Sequence, residues 1–90
     1  MTERPTVNPG DWIRIGTSMQ PQSAVVCAVY DDDSDADIEV VYLDYRDRMI
    51  NEDMTWKEGS WSSLEAGPSG GYADNSSRLA RFVRKLRTGR

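Results

Sequence analysis

The chain has 90 residues, of which 38% are hydrophobic and 29% charged, and its formal net charge is −4. This length accommodates one domain, and no run approaches the ~18 apolar residues of a membrane-spanning helix, so no membrane span is predicted. The sequence has no histidine and one cysteine. This excludes an internal disulfide and any nucleophilic site that pairs serine or cysteine with histidine.

Residues 1–9 contain two prolines and few apolar side chains, and they are predicted to form a flexible N-terminal arm. Short apolar stretches separated by turn residues then indicate four or five strands, at 12–15, 23–30, 38–45, 49–56 and 61–64. Because closing a small sheet hides its edges, residues 10–65 are predicted to form an all-β domain, a four- to five-stranded antiparallel barrel.

The third predicted strand carries large side chains on both of its faces. Successive residues of a strand point to opposite sides of the sheet. One predicted face therefore consists of Ile38, Val40 and Tyr42, and the other of Val41, Leu43 and Tyr45.

The segment 31–37, DDDSDAD, is predicted to be a solvated hairpin tip, because so many carboxylates are not buried together. Its first, third and fifth residues have the spacing of the first three ligands of an EF-hand loop. However, the sixth position is Ala36 rather than glycine, and the twelfth is Tyr42 rather than glutamate. No metal site and no cofactor are therefore predicted.

A flexible joint rich in glycine and serine is predicted at 66–75, and a basic amphipathic helix at 76–90. The apolar residues of this helix recur at helical spacing: Leu79, Phe82, Val83 and Leu86. Asp74, Ser76 or Ser77 could cap its start, and Gly89 could end it.

Charge is distributed unevenly between the two ends of the chain. Residues 78–90 carry six basic groups and no acid, whereas residues 1–77 hold five basic against fifteen acidic groups, a net of −10. Three alternatives remain open for the helix. In the first, its apolar stripe packs on the barrel and its basic face compensates the charge of the acidic body. In the second, it binds nucleic acid or an anionic protein groove. In the third, it lies on an anionic membrane or folds only on binding.

Three stretches together resemble a Tudor domain, one of the SH3-like barrel families: PGDWIRI at 9–15, AVVCAVYDDD at 24–33 and VVYLDYRD at 40–47. The resemblance covers roughly Gly10 to Trp61 and implies an SH3-like barrel. KOW-like barrels share the Gly-Asp opening and the general strand pattern, and they are the near alternative.

The resemblance also implies a binding face. Tudor domains bind methylated lysine or arginine in an aromatic cage through cation–π attraction. On this sequence the cage aromatics match Tyr42 and Tyr45, the polar residue of the turn matches Asp47, and Asp44 adds negative potential.

Two features depart from the family. Arg46 stands where the family has the glycine of the turn, and residues 17–22 contain no aromatic, so half of the cage is matched. Trp12 and Trp56 are candidates for a further wall. The alternative for all of these aromatics is core packing, because a small barrel needs large side chains to fill it.

These observations predict a non-enzymatic binding module or adaptor that recognises a basic protein segment, methylated or not, through the aromatic and acidic barrel face. The alternative is a small RNA-binding protein whose phosphate contacts are Arg78, Arg81, Arg84, Lys85 and Arg87. A cytoplasmic location is expected from the cysteine usage. A monomer or weak homodimer is expected, because an apolar helix stripe can pair with a copy of itself.

Overall fold

A computed structural model of the chain describes residues 4–16, 22–30, 35–43, 46–57, 59–63, 71–73 and 77–89. These residues form six strands and one helix: β1 (Trp12–Ile15), β2 (Gln22–Val29), β3 (Ile38–Leu43), β4 (Met49–Lys57), β5 (Ser60–Ser63), β6 (Gly71–Tyr72) and α1 (Ala80–Thr88). The prediction of a mainly β fold with a C-terminal helix is confirmed. The predicted continuation of the third strand to Tyr45 falls outside the described residues.

The first five strands form a small closed barrel, consistent with an SH3-like barrel. Each of them pairs antiparallel with the next, and β1 closes the barrel against β5 through Ile15 opposite Trp61. This closing pair is parallel, so the barrel is mixed, which differs from the wholly antiparallel prediction. The reason is geometric: when every strand reverses the direction of the one before it, the first and the fifth run the same way.

The barrel strands separate two apolar clusters. The inner core fills the barrel and consists of Ile15, Ala24, Val26, Ile38, Val40, Met54 and Trp61. The outer core covers one side of the barrel and consists of Val25, Cys27, Val41, Met49, Ala73, Leu79 and Phe82. Consecutive residues of β2 and β3 therefore enter different cores, because side chains alternate across a strand. The predicted alternation of the third strand is confirmed for its described residues.

Helix α1 closes the outer core with its apolar stripe. Leu79 and Phe82 are buried, and Val83 and Leu86 pack against the same cluster while half-buried. Burying one such large side chain is worth about 1.5–3 kcal/mol relative to leaving it in water. This arrangement corresponds to the first of the three alternatives for the helix, in which its apolar stripe packs on the barrel.

The helix is shorter than the predicted span 76–90. Its N-cap is Leu79, which makes no side-chain capping hydrogen bond, and Ser77 contributes only its carbonyl, which accepts from the Ala80 N–H at 3.4 Å. The predicted caps Asp74 and Ser76 lie outside the described residues. Gly89 ends the helix as predicted, in the left-handed region at φ +75°, and its N–H donates to the Lys85 carbonyl.

The last residues of the predicted joint return along the barrel. Strand β6 pairs antiparallel with the start of β4, with Tyr72 opposite Ile50. The next residue, Ala73, is buried in the outer core, and its N–H donates to the Met49 carbonyl at 2.9 Å. Residues 66–70 and 74–75 of the predicted joint lie outside the described part.

The described residues of the predicted N-terminal arm, 4–9, lie against the barrel. Arg4 forms an ion pair with Asp37 at 2.7 Å, and Val7 packs on the inner core. These contacts order the arm in the structure, although its flexibility in solution stays a prediction.

Candidate functional site

Tyr42 lies in a recess of about 320 Å³ at the barrel wall, here called the tyrosine recess. The recess is also lined by Gln22, Met54, Ser60 and Trp61, among others. Tyr42 is half-buried, and its hydroxyl donates to Oε2 of Glu52. The recess therefore contains a half-buried phenol ring whose hydroxyl is hydrogen-bonded to a carboxylate.

Glu52, which accepts this hydrogen bond from Tyr42, is a residue that the sequence analysis missed. It is 2% exposed and stands opposite Val40 in the β3–β4 register. It shares its strand face with Met54, which belongs to the inner core, so it points into the barrel. The two-residue spacing from Met54 was the available signal.

A second concavity of about 560 Å³, here called the tryptophan groove, adjoins the recess. Its lining includes Pro5, Val7, Trp12, Arg14, Trp56 and Trp61. Trp12 is 40% exposed, whereas Trp61 is buried. The rings of Trp56 and Trp61 meet edge to face, with centroids 5.0 Å apart and planes at 68°. Trp61 lines both concavities, so the two are continuous along this side of the barrel.

The structure brings together only part of the predicted site. Asp44 and Tyr45 lie outside the described residues. Trp12 and Trp56 line the tryptophan groove and not the recess that contains Tyr42. Asp47 is exposed, has a left-handed backbone at φ +61°, and accepts a hydrogen bond on its carbonyl from Arg87 at 3.5 Å. This contact is with the end of α1, and Asp47 is not among the lining residues of the recess.

Asp37 is a second residue whose role the sequence analysis missed. Its carboxylate accepts hydrogen bonds from Arg4 Nη1 at 2.7 Å, Thr55 Oγ1 at 3.0 Å and the Trp56 N–H at 2.8 Å. Burial alone would raise the pKa of Asp37, but these hydrogen bonds and the Arg4 charge outweigh it and hold the pKa below its usual range. Asp37 thus ties the N-terminal arm to β4 beside the tryptophan groove.

The prediction of a solvated tip at 31–37 is therefore wrong for its last two residues. Ala36 is 3% exposed, and the Asp37 carboxylate is held by protein donors. Residues 31–34 lie outside the described part. An acid next to a strand can accept hydrogen bonds from donors on another strand. In the sequence, such a paired acid cannot be distinguished from the solvated acids beside it.

A polar cluster covers the outer surface of β3 and β4. Arg78 donates both guanidinium Nη atoms to Glu39, at 2.8 and 2.9 Å, and Glu39 is 7% exposed. These hydrogen bonds, the Arg78 charge and the Asn51 amide outweigh burial and lower the pKa of Glu39. Tyr30 donates to Asp53 at 2.8 Å, and burial together with that hydrogen bond and the Glu39 charge raises the pKa of Tyr30.

The remaining cations of the predicted tail site lie on α1. The guanidinium carbon of Arg81 stands 4.5 Å from the centroid of the Phe82 ring, and the Lys85 ammonium donates to the Gly10 carbonyl. Arg84 and Arg87 are exposed. The cations of the helix therefore present one basic surface, whereas Arg78 is committed to Glu39.

Cys27 lies in the outer core beneath α1 and is 7% exposed. Burial is the main cause that raises the pKa of its thiol to about 12, with the Glu39 charge acting in the same direction. The thiol is protonated at neutral pH, which disfavours a nucleophilic or metal-binding role.

Within the described ranges, no three histidine, cysteine or acidic residues are grouped so that they could hold a metal ion. The one described helix is too short and too polar to cross a bilayer. Comparisons of the chain with protein-family models, with curated proteins and with solved structures give no match.

Proposed function

We propose that this chain is a non-enzymatic binding module of Tudor-like type that takes a basic side chain of a partner protein, methylated or not, in the tyrosine recess. The observation that carries the proposal is the contact between Tyr42 and the buried Glu52. A cation is attracted to the face of an aromatic ring. A phenol that donates its proton to a carboxylate has a more electron-rich ring, and the carboxylate adds its own attraction.

The tryptophan groove supports binding of a segment rather than of a single side chain. It is continuous with the recess through Trp61, and Trp12 is an exposed aromatic of the kind that anchors interfaces. Because Arg14 also lines this groove, an apolar residue of the partner suits it better than a second cation. The net charge of −10 on residues 1–77 would steer a basic segment towards the barrel.

The test is an NMR titration of the ¹⁵N-labelled protein with a nine-residue peptide that carries one central arginine, unmethylated or dimethylated. We expect shifts at Tyr42, Met54 and Trp61. Tyr42→Leu should weaken binding about tenfold, because it removes the ring. Tyr42→Phe keeps the ring but removes the hydrogen bond to Glu52, so its affinity should lie between those of the parent and of the Leu variant. Equal affinity of the Leu variant, with its fold intact, would contradict the proposal.

RNA binding through α1 stays a rival prediction. Arg81, Arg84 and Arg87 are exposed on the helix, which favours it, whereas Arg78 is occupied by Glu39. Deleting α1 is a poor test, because the helix covers Val25 and other residues of the outer core. Charge reversal of an exposed arginine separates the two functions without exposing that core.

A further inference from the structure

A further concavity lies between α1 and the turn before β1, away from the tyrosine recess. It encloses about 770 Å³ and is lined by Pro9, Gly10, Arg81, Phe82, Arg84, Lys85 and Thr88. This set, here called the helix groove, contains three cations and no carboxylate. It arises only because the apolar stripe of α1 faces the barrel and leaves the basic side chains beside the Pro9–Gly10 turn.

Two of the three cations of the helix groove, Arg81 and Lys85, are held in position before any partner arrives. Arg81 stacks on the Phe82 ring with its guanidinium carbon 4.5 Å from the ring centroid, and Lys85 is held by the Gly10 carbonyl. Phe82 is itself fixed in the outer core. Side chains that are already ordered lose little entropy on binding, which favours a specific contact over a diffuse charge effect.

The lining of the groove favours an acidic peptide over a nucleic acid. Pro9 and the aliphatic stems of the basic side chains supply apolar surface between the charges. A phosphodiester backbone has no apolar group for such a surface, and Phe82 is too buried, at 6% exposure, to stack on a base.

We propose that the helix groove binds an acidic segment of a protein partner in which one apolar side chain stands among the acids. Carboxylates of the segment would pair with Arg81, Arg84 and Lys85, and the apolar side chain would lie against Pro9. This site is independent of the tyrosine recess, so one chain could join a basic segment and an acidic segment on two of its surfaces.

The probe is a fluorescein-labelled decapeptide of glutamates with one central phenylalanine, followed by fluorescence anisotropy at low and at physiological salt. We expect binding that weakens as salt rises. A peptide with serine in place of the phenylalanine should bind several-fold more weakly. Arg84→Glu should weaken binding at least tenfold, whereas Lys57→Glu, the same charge reversal at an exposed residue at the end of β4, should change it less than twofold.

Three results would overturn the proposal: no binding of the phenylalanine peptide, equal affinity of the Arg84→Glu variant, or tighter binding of a single-stranded RNA decamer than of the peptide. The last result would assign the groove to nucleic acid instead. Tyr42→Leu should leave the acidic peptide's affinity unchanged, so failure of the recess and failure of the groove are distinguishable. Arg84 is exposed, and peptide-induced NMR shifts at Arg84 and Lys85 in the parent protein provide a readout that needs no variant.

Discussion

Arg78 and Glu39, separated by 39 residues in sequence, form a bidentate ion pair with N–O distances of 2.8 and 2.9 Å. Glu39 lies on the outer face of β3 and is buried, and Arg78 precedes the first residue of α1 by two positions. The pair therefore fixes the entry of the helix onto the barrel. The Arg78 side chain is largely exposed. The pair therefore acts by positioning the helix and by satisfying the buried Glu39 carboxylate, and not by burying the arginine.

The first prediction concerns this pair. Arg78→Gln leaves the Glu39 carboxylate without its bidentate donor, and Glu39→Gln leaves Arg78 without its acceptor, so each should lower the melting temperature by several degrees. The double variant should lose less than the sum of the two single losses, because each single change already removes the contact. Thermal unfolding followed by circular dichroism measures this cycle. Strict additivity would show that the two residues are not coupled.

The second prediction concerns the attachment of α1. Phe82→Ala should lower the free energy of unfolding by about 3–5 kcal/mol, because it opens a cavity between α1 and the outer core. Urea denaturation followed by tryptophan fluorescence measures the change. Arg84→Ala, two residues further along the same helix and exposed, is the control and should leave the midpoint nearly unchanged. A similar midpoint for both variants would mean that the helix does not contribute to the stability of the barrel.

The third prediction is a pH dependence of stability. Asp37 and Glu39 have lower pKa values in the folded chain than in the unfolded chain. Their stabilising contribution is therefore complete above the unfolded pKa values of about 4, and it is lost as the pH falls below them. The urea midpoint should decrease from pH 6 to pH 3.

Asp37→Asn isolates the part of this dependence that belongs to Asp37. The variant should be less stable than the parent at pH 6, and the difference should shrink as the pH falls and the parent carboxylate takes up its proton. Asp35→Asn, which changes an exposed acid two residues away, is the matched control. A gap between Asp37→Asn and the parent that stays constant with pH would exclude the role given to the charge of Asp37.

The fourth prediction uses Cys27 as a reporter of the helix. With a thiol pKa of about 12, roughly one molecule in ten thousand carries the thiolate at pH 8, and the side chain is also covered by α1. Reaction with a disulfide reagent should be slow in the native protein and fast in urea. Phe82→Ala should accelerate the native reaction by loosening the cover. A fast reaction in the unmodified native protein would contradict the packing of α1.

Much of the fold could be predicted from the sequence, because it depends on local periodicity. The alternation in 38–43 assigned Val40 and Val41 to opposite faces, and both faces are buried as that pattern requires. The spacing of Leu79 and Phe82 predicted the helix stripe, and Gly89 predicted its end. Such patterns are dictated by backbone geometry, with a period of two in a strand and 3.6 in a helix, so they can be detected without knowing which segments meet.

The candidate sites depended on contacts between distant segments, which only the tertiary structure decided. The Tyr42–Glu52 hydrogen bond requires the β3–β4 register, and the three donors to Asp37 come from the arm and from β4. The helix groove exists only where Lys85 meets Gly10, 75 residues away in the chain. Whether a given carboxylate is solvated, paired or buried depends on which donors folding brings to it, and the sequence near that carboxylate does not contain this information.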